Sequence, residues 1–182
     1  MRLRYAKRGR LRFTSHRDFS RAFERAVARS GIPVAYSSGF NPHPRISYAG
    51  ASPTGAASEA EYLEIGLAEK LDVEQVRRVL DDTLPAGLDI VEAQESPGGA
   101  LADTLQASRW RIELLVPRAA GVDAAVAAFL AAEHVAVQRM TKRGLREFDT
   151  RAAVAALEVI EGERGAELEL VVQHGTPAVR PD

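Results

Sequence analysis

Residues 15–30, SHRDFSRAFERAVARS, decide how the first half of the chain folds. Phe19, Ala22, Phe23, Ala26 and Val27 recur at the spacing of one helical face. Ser15 stands where an N-cap belongs, and Gly31 followed by Ile32-Pro33 closes the helix. Arg17, Arg21, Arg25 and Arg29 fall four apart, a stripe that drifts slowly around the cylinder. A helix with one apolar face needs a partner surface, and the flanks supply strands. Before it, RLRYA (2–6) alternates, KRGR (7–10) turns, and LRFT (11–14) extends again. After it, residues 33–37 and 45–49 read as short strands, joined by SSGFNPHP, which is too rich in turn-formers to be helical.

The pattern continues outward. EYLEIGL (61–67) alternates, with Leu63, Ile65 and Leu67 on one side. Asp72 caps a second helix whose apolar face is Val73, Val76 and Leu80, with Pro85 just beyond its end. LDIVEA (88–93) reads as a strand. The order β-α-β-β-α-β is that of the ferredoxin-like split βαβ. A second cycle starts at WRIELLV (110–116), with a helix over about 121–133 carrying Val122, Val126, Phe129 and Leu130 inward. Strands at 135–141 and 153–160 flank the basic turn KRGLREFDTR, and ELELVV (167–172) alternates again. HGTPAVRPD, at 174–182, looks like a helix start with no helix after it. The expected fold is α+β, a tandem of ferredoxin-like units: residues 1–95, a linker at 96–107, and residues 108–182. The second unit is read as truncated or as ending differently from the first.

Composition narrows the function classes. The 182 residues are 46% hydrophobic and 27% charged, which allows a packed core and excludes global disorder. With no cysteine, disulfides, thiolate zinc sites, a catalytic thiol and a protein-bound iron–sulfur cluster are excluded. No apolar run approaches the roughly 18 residues of a membrane span, and MRLRYAKRGR lacks a secretion signal. The expectation is a cytoplasmic protein with no membrane contact. The net charge of −1 hides an asymmetry: residues 1–48 carry +9, residues 49–100 −8, and residues 101–182 −2. Either the first two blocks neutralise each other, or a basic face is held ready for a polyanion.

Several groups of residues could carry chemistry. The arginine stripe on the first helix is either a solvated face, partly paired with Asp18 and Glu24, or a track for phosphates. The loop Tyr36 to Arg45 offers an aromatic (Phe40), an amide (Asn41), an imidazole (His43) and a guanidinium (Arg45). That set suits stacking and hydrogen bonding to a single-stranded base, with Arg45 on a phosphate. In the other reading it is a plain connection in which Tyr36 and Phe40 pack. Ser15-His16-Arg17-Asp18 contains the letters of a hydrolase triad, but adjacent helix-start residues point apart, and a cap is the better reading. His16 and His43 could share acid–base cleavage of RNA if the fold brought them together. The four histidines, His16, His43, His134 and His174, show no metal-ligand spacing, so no metal or other cofactor is expected. Ser58-Glu59-Ala60-Glu61-Tyr62 is read as an acidic partner for Arg10, Arg12 or Arg45. Lys142, Arg143 and Arg146, with Arg151, form a basic turn that could clamp phosphate from the second unit.

Four of these motifs, Ser15 to Asp18, Arg17 to Arg29, Ser37 to Pro44 and Ser58 to Tyr62, together resemble an uncharacterised bacterial family usually called radical-SAM-linked or radical-SAM-associated proteins. Phe148-Asp149-Thr150-Arg151 is similar to that family's second-half signature. The resemblance implies an accessory partner of a separate radical S-adenosylmethionine enzyme, since family members occur alone or fused behind one. This chain, having no cysteine motif, would not hold the cluster itself. The tandem architecture is also similar to that of CRISPR repeat-processing endoribonucleases, by fold analogy alone.

The expected function is therefore an RNA-binding accessory module, more a binder than an enzyme, that presents a tRNA or rRNA to a radical SAM enzyme in trans. Phosphates would be met by Arg10, Arg12, Arg17, Arg21 and Arg45, and bases by Phe40, Asn41 and His43. The alternatives are a metal-independent endoribonuclease using His16 or His43, and a module that only docks on the enzyme.

Overall fold

Strand β1 (Arg2–Lys7) puts Leu3 and Tyr5 on one face and Arg2 and Arg4 on the other, and this alternation organises the first unit. The computed structural model describes residues 1–115, 121–141, 144–175 and 178–181. The chain divides into two units, Met1–Thr104 and Leu105–Asp182, and the fold is α+β.

In the first unit, α1 (His16–Ser30) follows β1. Ser15 caps it by accepting from the Asp18 N–H, and Gly31 ends it in the left-handed region at φ 68°. The segment 9–13, expected to extend, instead makes a 3-10 turn in which Thr14 N–H bonds the Leu11 carbonyl. Next come β2 (Ile46–Ala49), β3 (Ser58–Ile65), α2 (Val73–Thr83), capped by Asp72, and β4 (Leu88–Gln94). The sheet order is β2-β3-β1-β4 and every neighbouring pair is antiparallel. Each strand-helix-strand passage thus leaves room for one other strand between its ends. Residues 33–37 are not a strand: Val34 and Tyr36 make isolated bridges to Leu67 and Pro44.

The core lies between the sheet and the two helices. Leu3, Phe19, Phe23, Leu63, Ile65, Val76, Leu80, Leu88 and Ile90 are all essentially inaccessible. Tyr5 stacks on Phe19 with ring centroids 4.0 Å apart. The stretch read as linker is partly packed: α3 (Leu101–Thr104) lies against β2 and β3, with Leu101 buried. Two leucines, Leu101 and Leu105, among small and polar residues are too little pattern to predict this.

The second unit runs β5 (Ala107–Glu113), α4 (Val122–Ala131), β6 (Ala136–Thr141), β7 (Gly144–Asp149), α5 (Thr150–Ala153), β8 (Val154–Gly162) and β9 (Gly165–Gln173). Two sheets result, β5-β9-β8 and the hairpin β6-β7. The order β5-β9-β8 matches β1-β3-β2 of the first unit, with the hairpin inserted after the helix. The basic segment read as a turn therefore contains a strand, β7, and residues 135–141 pair with it, not with 153–160. In α4 no residue is buried: of the four read as its inward face, Val122, Val126 and Phe129 are half-buried and Leu130 is exposed. Residues 178–181 have no regular structure, and Thr176, Pro177 and Asp182 of the expected helix start lie outside the described residues.

Candidate nucleic-acid interface

The eleven basic residues of positions 1–48 divide into two groups by their place in the fold. On the face of the sheet turned away from the helices, Arg2 pairs with Glu64 at 3.0 Å, Arg4 with Glu92 at 3.1 Å, and Arg8 with Glu59 at 2.9 Å and Asp89 at 2.8 Å. These are cross-strand pairs set by register: Arg2 stands directly opposite Glu64 and Arg4 opposite Glu92. A hydrogen bond from Ser96, with Arg2 behind it, holds the Glu64 carboxyl below its ordinary range. The acidic strand entry thus neutralises Arg8, and its Glu59 carbonyl accepts from Arg4. It does not reach Arg10, Arg12 or Arg45, because alternation and register, not proximity in sequence, choose the partners.

Lys7 is buried and donates to the Ser52 and Pro53 carbonyls at 3.5 and 3.4 Å. Burial lowers its pKa, partly offset by Glu61. The second group is on or beside α1. Arg10, Arg17, Arg21, Arg25 and Arg45 are exposed, and among the described residues none of them makes an ion pair. The Ser15 hydroxyl donates to Asp18 at 2.6 Å, and among the described residues neither Asp18 nor Glu24 forms an ion pair with the stripe. Ser15 is the cap of α1. Arg12 lies over the Phe13 ring at 4.8 Å, and Arg29 donates to the Thr83 carbonyl at 2.8 Å. The stripe turns about 40° per step, carrying Arg29 round to α2.

The loop behaves as a projecting hairpin. Ser37 N–H bonds the His43 carbonyl at 2.8 Å, and His43 N–H bonds Ser37 Oγ at 3.0 Å. Its tip carries Phe40 fully exposed at 103%, with Tyr36 at 59%, so neither aromatic packs. Asn41, His43 and Arg45 are exposed as well. Gly39, with φ 134°, takes a backbone conformation that side chains rarely adopt.

Position along the sheet separates these groups. The hairpin is tied to Gly66, just past the end of β3 where Ile65 bonds Met1. The 3-10 turn and His16 follow the opposite end of β1, where Lys7 pairs with Ser58. His16 packs edge-on against Tyr48 at 5.1 Å, and burial pushes the Tyr48 phenol up. Arg10, Arg12, Arg17 and His16 thus sit at one end, and Phe40, Asn41, His43 and Arg45 at the other. The two imidazoles do not converge. Between the ends runs α1, about 22 Å long at 1.5 Å per residue.

In the second unit, Arg146 stands directly opposite Arg139 across the β6-β7 hairpin, an unfavourable juxtaposition of like charges. Arg139 lies over Phe148 at 4.7 Å and donates to the Ala178 carbonyl; Arg146 is exposed. Lys142 and Arg143 lie outside the described residues. Sequence reading missed two histidine contacts. His134 Nδ1 meets Asp149 Oδ2 at 2.8 Å, and with the Val135, Ala152 and Arg151 N–H groups it brings the Asp149 carboxyl down to about 2. His174 Nε2 accepts from Ser108, and its Nδ1 faces the Leu105 carbonyl at 2.7 Å. Spacings of 15 and 66 residues gave no signal for either. No group of three or more His, Asp or Glu gathers as a metal site among the described residues. None of the helices described is long and apolar enough to cross a membrane.

The chain is thus α+β in two units, with exposed arginines that make no ion pair among the described residues along one helix and an aromatic-tipped hairpin in the first unit. Over residues 1–181 it belongs to the family described as uncharacterized proteins conserved in bacteria, DUF2344. Among curated proteins no relative matches it. The family description specifies neither a ligand nor an enzyme partner.

Proposed function

We propose that the protein binds RNA through the first unit and presents it to a separate enzyme. The observation that carries this reading is the row of exposed arginines that make no ion pair among the described residues, Arg17, Arg21 and Arg25, on a helix in a chain of net charge −1. Self-neutralisation has used up the arginines on the sheet face and spared those on the helix. Nucleic acid would therefore approach the helical side, with Arg10 and Arg12 extending the phosphate contacts. Phe40 would offer a stacking surface at the far end, with Asn41 and His43 beside it. Arg45 would take a phosphate there, and the opposed Arg139–Arg146 pair would gain from an anion in the second unit. The ligand class that fits is an RNA long enough to follow α1, such as part of a tRNA or rRNA. The enzyme partner, a radical SAM protein acting in trans, is suggested by the resemblance of the four sequence motifs.

Filter binding against cellular RNA, repeated across salt concentrations, tests the reading. Affinity should fall steeply with salt. The triple variant R17A/R21A/R25A should flatten the slope by about 2 for a single strand. Binding that is absent, or flat with salt, overturns the proposal.

The exposed Phe40 and Tyr36 also favour a second reading, in which the hairpin docks on the enzyme and RNA plays no part. Co-purification with the enzyme from nuclease-treated lysate, lost in Phe40→Ala, would support that reading. The two imidazoles sit at opposite ends of the sheet, so a metal-independent nuclease would have to use His16 or His43 singly and not as a pair.

A further inference from the structure

Strand β5 is an open edge. It pairs with β9 on one side and with no other described strand, whereas the equivalent edge of β1 is closed by β4 from Arg2 to Lys7. An open edge invites another strand unless it is protected. The residues of β5, ASRWRIE, are complementary to themselves when reversed about Arg111. In an antiparallel pairing of two copies centred there, Arg109 faces Glu113 and Trp110 faces Ile112, each twice. Both contacts are of favourable kinds, opposite charges and an aromatic against a β-branched chain. Trp110 and Ile112 are only half-buried in the single chain. The Arg109 and Arg111 side chains are 73% and 67% exposed. Where the two Arg111 residues meet, each is already held by its own Glu167 at 3.4 Å and Glu169 at 3.9 Å.

The other edge of the same sheet lacks these features. Strand β8 has an irregularity between Val154 and Ala156, of the kind that blunts an edge. Reversing β8 about Glu158 sets carboxylate on carboxylate, and reversing it about Val159 sets Glu158 against Ile160 and Glu161 against Leu157.

We propose that β5 pairs antiparallel with β5 of a second copy of this chain, in register at Arg111, joining two three-stranded sheets into one of six strands. The proposal is independent of RNA binding.

Because the chain has no cysteine, an introduced thiol reports the register without background. Directly opposed antiparallel residues lie within disulfide reach. Under mild oxidation Arg111→Cys should give a covalent dimer on a non-reducing gel, and Glu158→Cys on the β8 edge should not. Sedimentation velocity at tens of micromolar should show a reversible dimer for the unaltered chain. R109E, which sets Glu against Glu113, should weaken it about tenfold or more, and R109E/E113R should restore it. Circular dichroism checks that each variant is folded; all the altered positions are exposed. A monomer throughout that range, equal cross-linking at both edges, or no rescue by the double variant overturns the proposal.

Discussion

Asp149 collects four donors within one short stretch of chain: the His134 imidazole and the N–H groups of Val135, Arg151 and Ala152. Its carboxyl is therefore ionised down to about 2, below the ordinary value of 3.8. A depressed folded pKa contributes stability above the unfolded value that is lost as pH falls from about 4 through 2. His134→Ala removes the largest cause, so the Asp149 carbon resonance should titrate at higher pH in an NMR series. An unchanged midpoint would show that the backbone donors suffice. At the other end of the chain Ser15 is an equally local device, legible from sequence because a cap and its N–H partner lie three residues apart. Ser15→Ala should lower the urea midpoint by the equivalent of about 1 kcal/mol. The histidine contacts were not legible, because their partners arrive through tertiary structure.

Helix α1 was readable almost residue by residue. Its apolar positions Phe19, Phe23, Ala26 and Val27 are the buried ones, and Ser15 and Gly31 bound it. Phe23→Ala, at a fully inaccessible position, should cost about 3–5 kcal/mol in denaturant unfolding. The 36–44 hairpin is the opposite case. Phe40→Ala should leave stability within about 0.5 kcal/mol, since the ring touches nothing. If RNA stacks there, the same change should weaken binding by about 1–3 kcal/mol in a titration. Strand β7 escaped the sequence reading for a physical reason. Of its residues 144–149 only Phe148 is buried, so charged positions dominate and the period of two is hidden. Its strand character comes from pairing with β6, a contact that composition does not announce.

At the scale of the molecule, the two units differ in how much they bury. The contiguous hydrophobic core contains residues of the first unit only, whereas in the second α4 contributes no buried side chain. Hydrogen exchange should therefore be slower in β1 and β3 than in β5 and β9, and the second unit should open first on denaturation. Equal protection would mean that the second unit is held by something beyond its own contacts. By itself the sequence determined the two long helices of the first unit with their caps, the four strands of its sheet and the charge imbalance, because periodicity and capping act over a few neighbouring residues; the 3-10 turn, the irregular 33–37 segment and α3 escaped it. Only the tertiary structure decided which arginines keep their charge available. Whether a guanidinium meets a carboxylate depends on strand register and on which side of the sheet it faces, and the partners lie 51 to 88 residues away. The same holds for the separation of His16 from His43 and for the open edge of β5. Each is a relation between distant segments, fixed by how strands pair and not by what stands next in the chain.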